Sequence, residues 1–527
     1  MLTIIVFLPL LGTILISLFV PRRFGGAVRW GTLAVAVLNF VLALYLLREF
    51  SVETSGFQIV EKHQWLPDWG VTYTLGVDGL SLMLILLSNL LSALAVMSSF
   101  AAIRVREKEY YFFLSLLQTG ILGTFAALDL FLFYIFWETM LIPLYFLIGI
   151  WGGEKRIYAT FKFLLYTLTG SLLMLVGILV IYFQMRAVIP GSDTEAFNYM
   201  NIVAQIRSGA LVLKPELQFW LFLAFFFAFA IKVPLFPLHT WLPDAHTEAP
   251  TAGSVILAGV LLKTGVYGIF RFCFMLFPAT ALELRGLVGW IAVVAILYGA
   301  FTAMAQKDMK RLVAYSSVSH MGFVMLGLFS LNLIALKGSM LQMLNHGIST
   351  GALFLLVGMI YERRHTRLMS EMGGLAQQLP VYAVFFMIIL LSSIGLPGLN
   401  GFVGEFMILL GAFRAKPAWA VVGALGVVFG AVYLLMLYQR VFFGPLDKPA
   451  NKELKDLGWR EVAVLMPLVI LAVWIGLYPK PFLKYFDAPS QAVVEIVAAP
   501  QTYEFPTGVA ASPAASTPHE VVVEAHH

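Results

Sequence analysis

The chain has 527 residues, of which 60% are hydrophobic and only 12% are charged. A soluble domain carries about 25% charged residues, so this chain cannot cover itself with polar surface and is predicted to be a polytopic membrane protein. The single cysteine, Cys273, excludes an internal disulfide and a cysteine-held metal or iron–sulfur centre. The basic residues behind the formal charge of +5 are scattered through short loops, which indicates membrane topology and excludes a nucleic-acid patch.

The predicted elements are all helices. A helix that crosses a membrane needs about 20 apolar residues, and about fourteen segments of the chain meet that requirement. They lie near residues 2–20, 30–47, 79–102, 110–128, 130–151, 158–183, 217–238, 250–275, 285–304, 311–330, 336–361, 380–411, 419–440 and 460–478. The first is long enough to span and lacks a basic region before it, so we interpret it as a retained helix.

The distribution of Lys and Arg predicts the orientation. Basic residues collect in loops that follow odd-numbered spans, for example Arg104, Arg106 and Lys108 after the third and Lys307, Lys310 and Arg311 after the ninth. The positive-inside rule places these loops in the cytoplasm and both chain termini on the outer, periplasmic side. The loop after the seventh span is an exception, because it contains neither Lys nor Arg.

Two spans are interrupted at matching places. The seventh breaks at Pro234 and Pro237, and five spans later the twelfth breaks at Gly395-Leu-Pro-Gly. Paired broken helices predict two inverted five-helix repeats, because a unit with an odd number of spans must be inverted in its second copy. The predicted divisions are three N-terminal helices (1–109), a first repeat (110–276), a second repeat (277–442), a last transmembrane helix (443–487) and a mostly disordered tail (488–527).

Ionisable residues lie inside the apolar spans of the first half. Glu138 is near the middle of the fifth span, Lys232 is beside the proline break, and Lys263 is deep in the eighth span. A charge at the bilayer centre costs about 2.5–3.5 kcal/mol or more, so such a group pairs, reaches water or becomes neutral. Two interpretations stay open: structural groups, including a Glu138–Lys232 ion pair, or stations that carry protons.

The second half contains His320, His346 and Glu405 within spans. Histidine titrates near neutrality after small shifts, which favours a proton relay, although a core histidine that only donates a hydrogen bond is the alternative. Glu405 follows the break of the twelfth span and has the same two interpretations as Glu138. No set of carboxylates accompanies the histidines, so the sequence predicts no metal site.

A polar turn after the first break supplies candidate residues for proton uptake, namely His239, Asp244 and His246. A solvated loop without such a role is the equal alternative for this turn. Three other basic residues lie nearer the ends of spans, where contact with the surface is the default expectation. They are Lys162, Arg271 and Lys337.

Six stretches carry a resemblance to a known family. They are GVDGLS (76–81), FWETMLIPLYFLIGIWGG (136–153), KVPLFPLHTWLPDAHTEAPTAGSVILAGVLLKTGVYG (232–268), QKDMKRLVAYSSVSHMGFV (306–324), LNHGISTGALFLLVG (344–358) and GLPGLNGFVGEF (395–406). Through them the chain resembles the antiporter-like membrane subunits of respiratory complex I, the proton-pumping NADH:quinone oxidoreductase, and among these the subunit M (chain 4) family. Outside them, the N- and C-terminal regions match mainly in hydrophobicity and length.

The resemblance implies a role for each ionisable residue within the spans. The family's proton-translocation residues fall on Glu138, Lys232, Lys263, His320, His346 and Glu405. The glutamate at 405 points to subunit M, because the related subunits L and N usually have lysine there. The fold implied by the family is two inverted five-helix bundles, each with one broken helix.

The implied function is proton translocation in the membrane arm, coupled to NADH-to-quinone electron transfer in other subunits. The resemblance places flavin, iron–sulfur clusters and quinone in those other subunits and predicts no redox chemistry, cofactor or metal in this chain. The implied surroundings are a bacterial inner membrane, the antiporter-like neighbours L and N, and no nucleic acid.

Three alternatives remain open at the level of sequence. The chain could serve a membrane-bound hydrogenase, a formate hydrogenlyase or a ferredoxin-driven complex, and the genes beside its own would identify that partner. It could instead be an independent cation/proton antiporter, for which sodium-dependent transport by the purified chain would speak. It could also be a structural spacer, in which case neutralising Lys232 and Lys263 together would leave pumping unchanged.

Overall fold

The fold is that of a computed structural model, which describes residues 1–21, 24–188 and 194–498. Within these residues, twelve helices are long and apolar enough to cross a membrane. The all-helical membrane fold predicted from the composition is therefore confirmed. Arg22, Arg23 and residues 499–527 of the predicted tail lie outside the described residues.

The N-terminal part forms three long helices and a β-hairpin. The helices are α1 (Leu2–Phe19), α2 (Gly25–Glu49) and α3 (Gly79–Ala102). Between α2 and α3, β1 (Gln58–Leu66) pairs antiparallel with β2 (Val71–Val77), with Gln58 opposite Val77. The sequence analysis does not predict this hairpin; the β-branched residues of the β2 segment VTYTLGV favour a strand.

The next part contains the first break and the polar turn. Its helices are α4 (Glu107–Ala126), α5 (Leu130–Thr139), α6 (Leu141–Trp151), α7 (Arg156–Val188), α8 (Tyr199–Arg207), α9 (Pro215–Lys232), α10 (Trp241–Glu248), α11 (Thr251–Ile256), α12 (Leu262–Gly268) and α13 (Phe274–Leu276). Two π-helical turns, Leu257–Leu261 and Ile269–Cys273, join α11, α12 and α13 into one apolar span. Single π turns in a helix often mark functional sites.

The remaining part contains the second break and the C-terminal helices. These are α14 (Pro278–Met304), α15 (Met309–Phe329), α16 (Leu333–Arg364), α17 (Leu375–Gln378), α18 (Pro380–Ile394), α19 (Asn400–Ala415), α20 (Pro417–Phe442), α21 (Pro449–Lys452), α22 (Trp459–Leu477), α23 (Lys480–Leu483) and α24 (Asp487–Ala498). Helix α24 corrects the predicted start of the disordered tail at residue 488. Its Val493, Ile496 and Val497 are buried, so an apolar face holds residues that look featureless in sequence.

Both predicted breaks are confirmed. Helix α9 ends at Lys232 because Pro234 has no N–H for the carbonyl of Ala230, and the N–H of Leu235 bonds to that carbonyl instead at 2.8 Å. Helix α18 ends at Gly395, whose φ of +83° lies in the left-handed region that favours glycine.

Two of the predicted spans are not among the twelve long apolar helices. Helix α4 has a charged first turn, and the span near 380–411 is divided into α18 and α19. The count of about fourteen spans and the inverted relation of the two halves stay predictions.

Loops and short elements collect on two faces of the bundle. The strand face carries β1, β2, α8 and α24, and Asn198 forms a β-bridge there with Asp129. The opposite turn face carries α10 and the loops after α6, α14 and α16, where the N–H of Gly153 bonds to the carbonyl of Glu248. The predicted orientation places the strand face outside and the turn face in the cytoplasm.

The core lies between these faces. The span that runs from α11 to α13 and helix α16 are completely buried along their most apolar windows, whereas only 28% of the corresponding windows of α1 and α22 is buried. The exposed apolar side chains of the outer helices suit a hydrocarbon environment. The buried central spans carry Lys263 and His346, so the protein itself surrounds these ionisable groups.

Candidate functional site

Glu138 lies where the fifth predicted span is interrupted. Helix α5 ends at Thr139 and α6 begins at Leu141. Pro143 lacks the N–H that would bond to the carbonyl of Thr139 in a continuous helix. The side chain of Glu138, in the last turn of α5, is half-buried, so this residue lies partly at the outer surface of the bundle.

Lys232 is buried at the end of the broken helix α9, with 2% exposure. Its Nζ lies 5.1 Å from the ring centroid of Trp137 and 5.6 Å from that of Phe163. A cation over an aromatic face is stabilised without a directional bond. The described residues provide no hydrogen bond or ion pair to this ammonium group, so aromatic rings are its main contacts.

A proline break frees upstream carbonyls that can hold an ammonium group. Instead, the structure caps them: the carbonyl of Ala230 accepts from Leu235, and that of Ile231 accepts from the indole Nε1 of Trp241 at 2.8 Å. Unpaired buried carbonyls are costly, which accounts for the caps. The break therefore positions Lys232 and provides no bond to it.

Glu138 and Lys232 are close without being joined. The carboxylate of Glu138 acts electrostatically on Lys232, and Trp137, beside Glu138 in the chain, lies against the ammonium group. No ion pair between the two is recorded among the described residues. The closed Glu138–Lys232 ion pair, one of the two interpretations of the sequence, is absent from this arrangement.

Lys263 is hydrogen-bonded to the second half of the chain. It follows the π turn Leu257–Leu261, and its Nζ donates to the carbonyl of Ala258 within that turn. The same Nζ lies 2.7 Å from Nδ1 of His346 on α16, and both side chains are completely buried. An ammonium group has no lone pair, so a protonated Lys263 donates to an unprotonated Nδ1.

Glu405 is hydrogen-bonded to His320. Its Oε1 lies 2.9 Å from Nδ1 of His320 and accepts a bond of 3.0 Å from Nε2 of Gln342. Asn345 donates to the carbonyl of Asn400 at 2.7 Å and so ties α16 to the start of α19, just after the break. This contact places Glu405 against α15 and α16.

Lys263, His346, His320 and Glu405 form a central cluster across the bundle. The two imidazole rings that join its ends have centroids 5.8 Å apart. Nε2 of each ring is buried without a hydrogen-bond partner among the described residues, so each histidine retains a nitrogen for a further bond. The structure thus brings four of the predicted residues together and leaves Glu138 and Lys232 outside this bonded group.

The three predicted uptake residues lie on the turn face, and two of them, His239 and His246, are buried. His239 is buried against Phe236 and Tyr298, and burial, with a smaller effect of the Lys162 charge, lowers its pKa to about 4. Asp244 is paired with Lys162 at 2.7 Å. The solvated turn is therefore wrong for His239, because helix α10 packs this segment against its neighbours.

His246 is completely buried and stacks on Phe354 with a centroid distance of 4.6 Å. Both of its ring nitrogens have no hydrogen-bond partner among the described residues. Burial, and then the charges of Lys310 and Lys263, hold the pKa of His246 well below its usual range. The charges of two lysines therefore act on this imidazole, and one of them, Lys263, belongs to the central cluster.

Lys310 was not predicted as a site residue, because it counts among the loop charges in the topology argument. The structure buries it to 6% exposure, with Nζ donating to the carbonyl of Ala249 at the end of α10. Its spacing contains a signal: Lys310, Ser317 and His320 follow an i, i+7, i+10 pattern, which places them on one face of a helix.

Arg271 was expected to reach the surface and does not. Its Nη2 donates to Oδ2 of Asp78 at 2.6 Å, and both side chains are buried. The available signal was Asp78 itself, an acidic residue directly before an apolar span. Lys337, in contrast, contacts the exposed Asp487, as expected for a basic residue near the end of a span.

No group of three or more His, Cys, Asp or Glu residues is placed to hold a metal ion in the described part of the chain. The ionisable residues instead form pairs and a line, in which nitrogen and oxygen atoms lie at hydrogen-bond distance. Such an arrangement is suited to moving protons between neighbouring groups.

Comparisons with known proteins agree with this geometry. The family described as NADH:quinone oxidoreductase/Mrp antiporter, TM, matches residues 127–430. NADH-quinone oxidoreductase subunit M of Rhodobacter capsulatus is 44% identical over 91% of this chain and 93% of its own length. The protein of the same name from Rickettsia prowazekii (strain Madrid E) is 41% identical over 92% of this chain and 96% of its own length.

The chain is also similar to a solved structure of the same kind of complex. One chain of respiratory complex I from Thermus thermophilus with bound NADH superposes with a TM-score of 0.84 at 35% identity, covering 94% of this chain and all of that one. This multi-pass membrane protein therefore belongs to the NADH:quinone oxidoreductase/Mrp antiporter transmembrane family, and within it to the NADH-quinone oxidoreductase subunit M proteins.

Proposed function

We propose that this chain is a proton-translocating subunit in the membrane arm of an NADH:quinone oxidoreductase. It couples electron transfer from NADH to quinone, which takes place in other subunits, to proton movement across the membrane. The observation that carries the proposal is the central cluster, whose two hydrogen-bonded pairs measure 2.7 and 2.9 Å. Ionisable groups inside a membrane are costly and are retained mainly where they serve transport.

Protons move along the cluster from Lys263 towards Glu405. Lys263 gives its proton to Nδ1 of His346 across their 2.7 Å hydrogen bond. An imidazole can accept a proton on one nitrogen and release it from the other. The proton then crosses the 5.8 Å between the ring centroids, bridged by water, and reaches the bonded pair of His320 and Glu405.

Glu138 and Lys232 connect this relay to a neighbouring subunit. The half-buried Glu138 is within reach of charges on an antiporter-like neighbour such as subunit L or N. Lys232 rests on aromatic rings, so a change in its electrostatic surroundings can push its proton towards Lys263. Transport of one charge against 100 mV costs about 2.3 kcal/mol, and a charge pair at 4 Å and an effective dielectric of 20 supplies about 4 kcal/mol.

Uptake from the turn face uses His239, Asp244 and His246. Among them, His246 has the most direct electrostatic contact with the relay, because the charges of Lys310 and Lys263 both act on it. Lys310 provides a further buried basic group on the turn face, where its Nζ donates to the carbonyl of Ala249. In the proposed orientation the turn face is cytoplasmic and the termini are periplasmic, in a bacterial inner membrane.

The chemistry of electron transfer belongs elsewhere in the complex. Flavin, iron–sulfur clusters and quinone are proposed to lie in other subunits, so this chain contributes proton transfer alone. Its own part of the enzyme reaction is the storage of redox energy as a proton gradient.

The test compares Glu138→Gln with Glu453→Gln in the assembled complex. Glu453 is an exposed glutamate on the turn face and serves as the matched control. NADH-driven quinone reduction and the protons moved per NADH are measured in sealed vesicles. We expect fewer protons per NADH for E138Q only; undiminished pumping by E138Q would remove the proposed role of Glu138.

Further measurements separate the alternatives. Sodium-dependent transport by the purified chain alone would indicate an independent antiporter. Pumping that survives the double substitution of Lys232 and Lys263 by Met would indicate a structural spacer. Subunits that copurify with the chain identify the electron-transfer partner, and hydrogenase or ferredoxin-oxidising subunits in place of NADH-oxidising ones would contradict the proposal.

A further inference from the structure

A cavity of about 730 Å³ opens on the strand face next to the buried ion pair of Arg271 and Asp78. Its walls come from the loop after α2, from α8, from the end of the central span and from α24. Residues that line it include Phe57, Asp78, Tyr199, Arg271, Tyr485 and Glu495. In the proposed orientation this cavity faces the outer side of the membrane, where translocated protons accumulate.

The guanidinium group of Arg271 is held in a fixed position. Its Nη2 donates to Oδ2 of Asp78 at 2.6 Å, and Oδ1 of Asp78 accepts the N–H of Ser81 at 2.9 Å. The guanidinium carbon lies 4.7 Å from the ring centroid of Phe57 and 5.1 Å from that of Tyr267. The π turn Ile269–Cys273 contains Arg271, and the carbonyl of Arg271 accepts a bond from Tyr199 at 2.9 Å.

Two hydroxyl groups lie behind this guanidinium, towards the interior. Nη2 of Arg271 is 3.5 Å from Oγ of Ser81, which is 3.3 Å from the hydroxyl of Tyr267. Tyr267 donates to the carbonyl of Phe125 at 3.1 Å. Lys263 lies one turn before Tyr267 on α12, although no hydrogen bond joins these two side chains among the described residues. A line of polar groups therefore leads from the cavity to Tyr267, one turn from Lys263.

Such a line would be harmful if protons could use it. Resting on the proposed function, a proton path between the outer cavity and Lys263 would discharge the gradient past the rest of the relay. Arginine is donor-only and keeps its charge. It can neither accept a proton from the cavity nor pass one to Ser81, and a fixed positive charge repels protons from a pore.

We propose that Arg271 is a proton barrier that separates the outer cavity from Lys263. Asp78 is the positioning residue, because it orients the guanidinium between the cavity and the hydroxyls of Ser81 and Tyr267. The barrier works through a charge and a donor-only group, not through the stability of the ion pair. Loss of Arg271 and loss of the Asp78 charge therefore have different consequences, although either substitution breaks the same pair.

The experiment measures passive proton flux through the whole complex in liposomes, without NADH or quinone, under an imposed potassium diffusion potential. Arg271→Gln removes the positive charge and supplies a hydrogen-bond acceptor. Because a unit charge is lost beside the path, we expect a proton flux at least about tenfold above that of the unsubstituted complex. Arg271→Lys keeps a cation beside Asp78 but, unlike arginine, a buried lysine can release its proton, so its flux should lie between those of the unsubstituted complex and R271Q. Arg207→Gln, which changes an exposed arginine at the same cavity, is the matched control.

Asp78→Asn decides between a barrier and a merely structural pair. Asparagine keeps one oxygen to cap α3 through the N–H of Ser81 and loses the oxygen that accepts from Arg271, while the rings of Phe57 and Tyr267 still hold the guanidinium and its positive charge becomes unbalanced. We expect its flux at or below that of the unsubstituted complex. If the flux of D78N is about tenfold above that of the unsubstituted complex, the effect is loosening of the helices and the proposal fails; this limit also applies should R271Q not assemble.

A double variant traces the path. Adding Tyr267→Phe to R271Q removes a hydroxyl behind the barrier, so the flux should fall back towards that of the unsubstituted complex. If the double variant leaks as much as R271Q alone, the assigned path is wrong. Because these fluxes are measured without turnover, a tight R271Q contradicts the barrier alone, whereas normal pumping by the Glu138 variant contradicts the proposed function.

Discussion

The two halves of the chain treat their intramembrane glutamates differently. Glu405 is buried and bonded to His320 and Gln342, whereas Glu138 is half-buried and its carboxylate has no hydrogen bond to the described residues. Both lysines belong to the first half, but Lys263 is hydrogen-bonded to His346 of the second half, whereas Lys232 rests on aromatic rings. Under the proposed function, Glu138 and Lys232 of the first half respond to charge at the surface, whereas Lys263 and the second half conduct protons through hydrogen bonds.

This contrast has an energetic meaning. Direct hydrogen bonds depend on tenths of an ångström, so the second half should tolerate little change in side-chain length. Coulombic influence falls slowly with distance, so the first half should tolerate changes that preserve charge. Substitutions that shorten or neutralise these groups therefore test the distinction.

The largest effect is expected for Lys263→Met. It removes the donor to Nδ1 of His346 and interrupts the relay, so protons moved per NADH should fall by more than about tenfold. Lys337→Met is the control, since Lys337 contacts the exposed Asp487 outside the relay. Vesicle pumping assays on both variants make the measurement, and equal losses would contradict a specific role of Lys263.

The next effect compares two substitutions that each shorten a glutamate. Glu405→Asp withdraws the carboxylate from its 2.9 Å contact with His320, and a lost buried hydrogen bond costs about 1–3 kcal/mol. Pumping should fall several-fold. Glu138→Asp keeps its charge near Lys232 and should change pumping by less than about twofold.

The comparison would fail if E138D were as damaging as E405D. That result would show that Glu138 acts through a short bond in the assembled complex. A mild E405D would likewise show that the His320 contact carries no protons.

A third effect depends on pH and belongs to the turn that follows the first break. The folded-state pKa of His239 is lowered to about 4, against about 6.5 in an unfolded chain. The unfolded state therefore binds the proton more readily, so stability is complete above pH 6.5 and decreases as pH falls towards 4. At pH 5 the penalty is about 2 kcal/mol.

His239→Gln should remove most of that penalty. Thermal denaturation of the complex at pH 5 and pH 7.5 measures it, and the difference between the two pH values should be smaller in H239Q. His365→Gln is the control, because His365 is exposed. If the pH difference were unchanged in H239Q, protonation of His239 on unfolding would not be its cause.

The smallest effect concerns the aromatic contact of Lys232. Trp137→Phe keeps an aromatic face but weakens the attraction for the ammonium by about 0.5–1 kcal/mol. Pumping should change by less than about threefold, and Trp137→Leu should have the larger effect. If W137F abolished pumping, Lys232 would need the indole as a fixed support, and the contrast with Lys263 would disappear.

Much of the fold could be predicted because lipid imposes simple rules. Long apolar stretches must be helices, so nearly every described span lies where hydropathy places it. The breaks at Pro234 and Gly395 follow from residues with unusual backbone chemistry. The β-hairpin and helix α24 could not be predicted in the same way, because they lie outside the apolar spans, where tertiary contacts decide the conformation.

The site divides similarly. Charged residues inside apolar spans are conspicuous, which is why Glu138, Lys232 and Lys263 could be identified from sequence and from the family resemblance. Lys310 and Arg271 could not, because a basic residue near the end of a span has the surface as an equally good destination. Only the packing of α10 and α3 against these side chains turns them inward.

Hydropathy and charge placement predict a membrane-spanning helical protein with ionisable groups at costly positions. Helix packing sets which of those groups touch: Lys263 with His346, Glu405 with His320, and Arg271 with Asp78. The physical reason is that hydropathy and helix breaks are local properties of the chain. Hydrogen bonds between residues more than 80 positions apart exist only once the helices have packed.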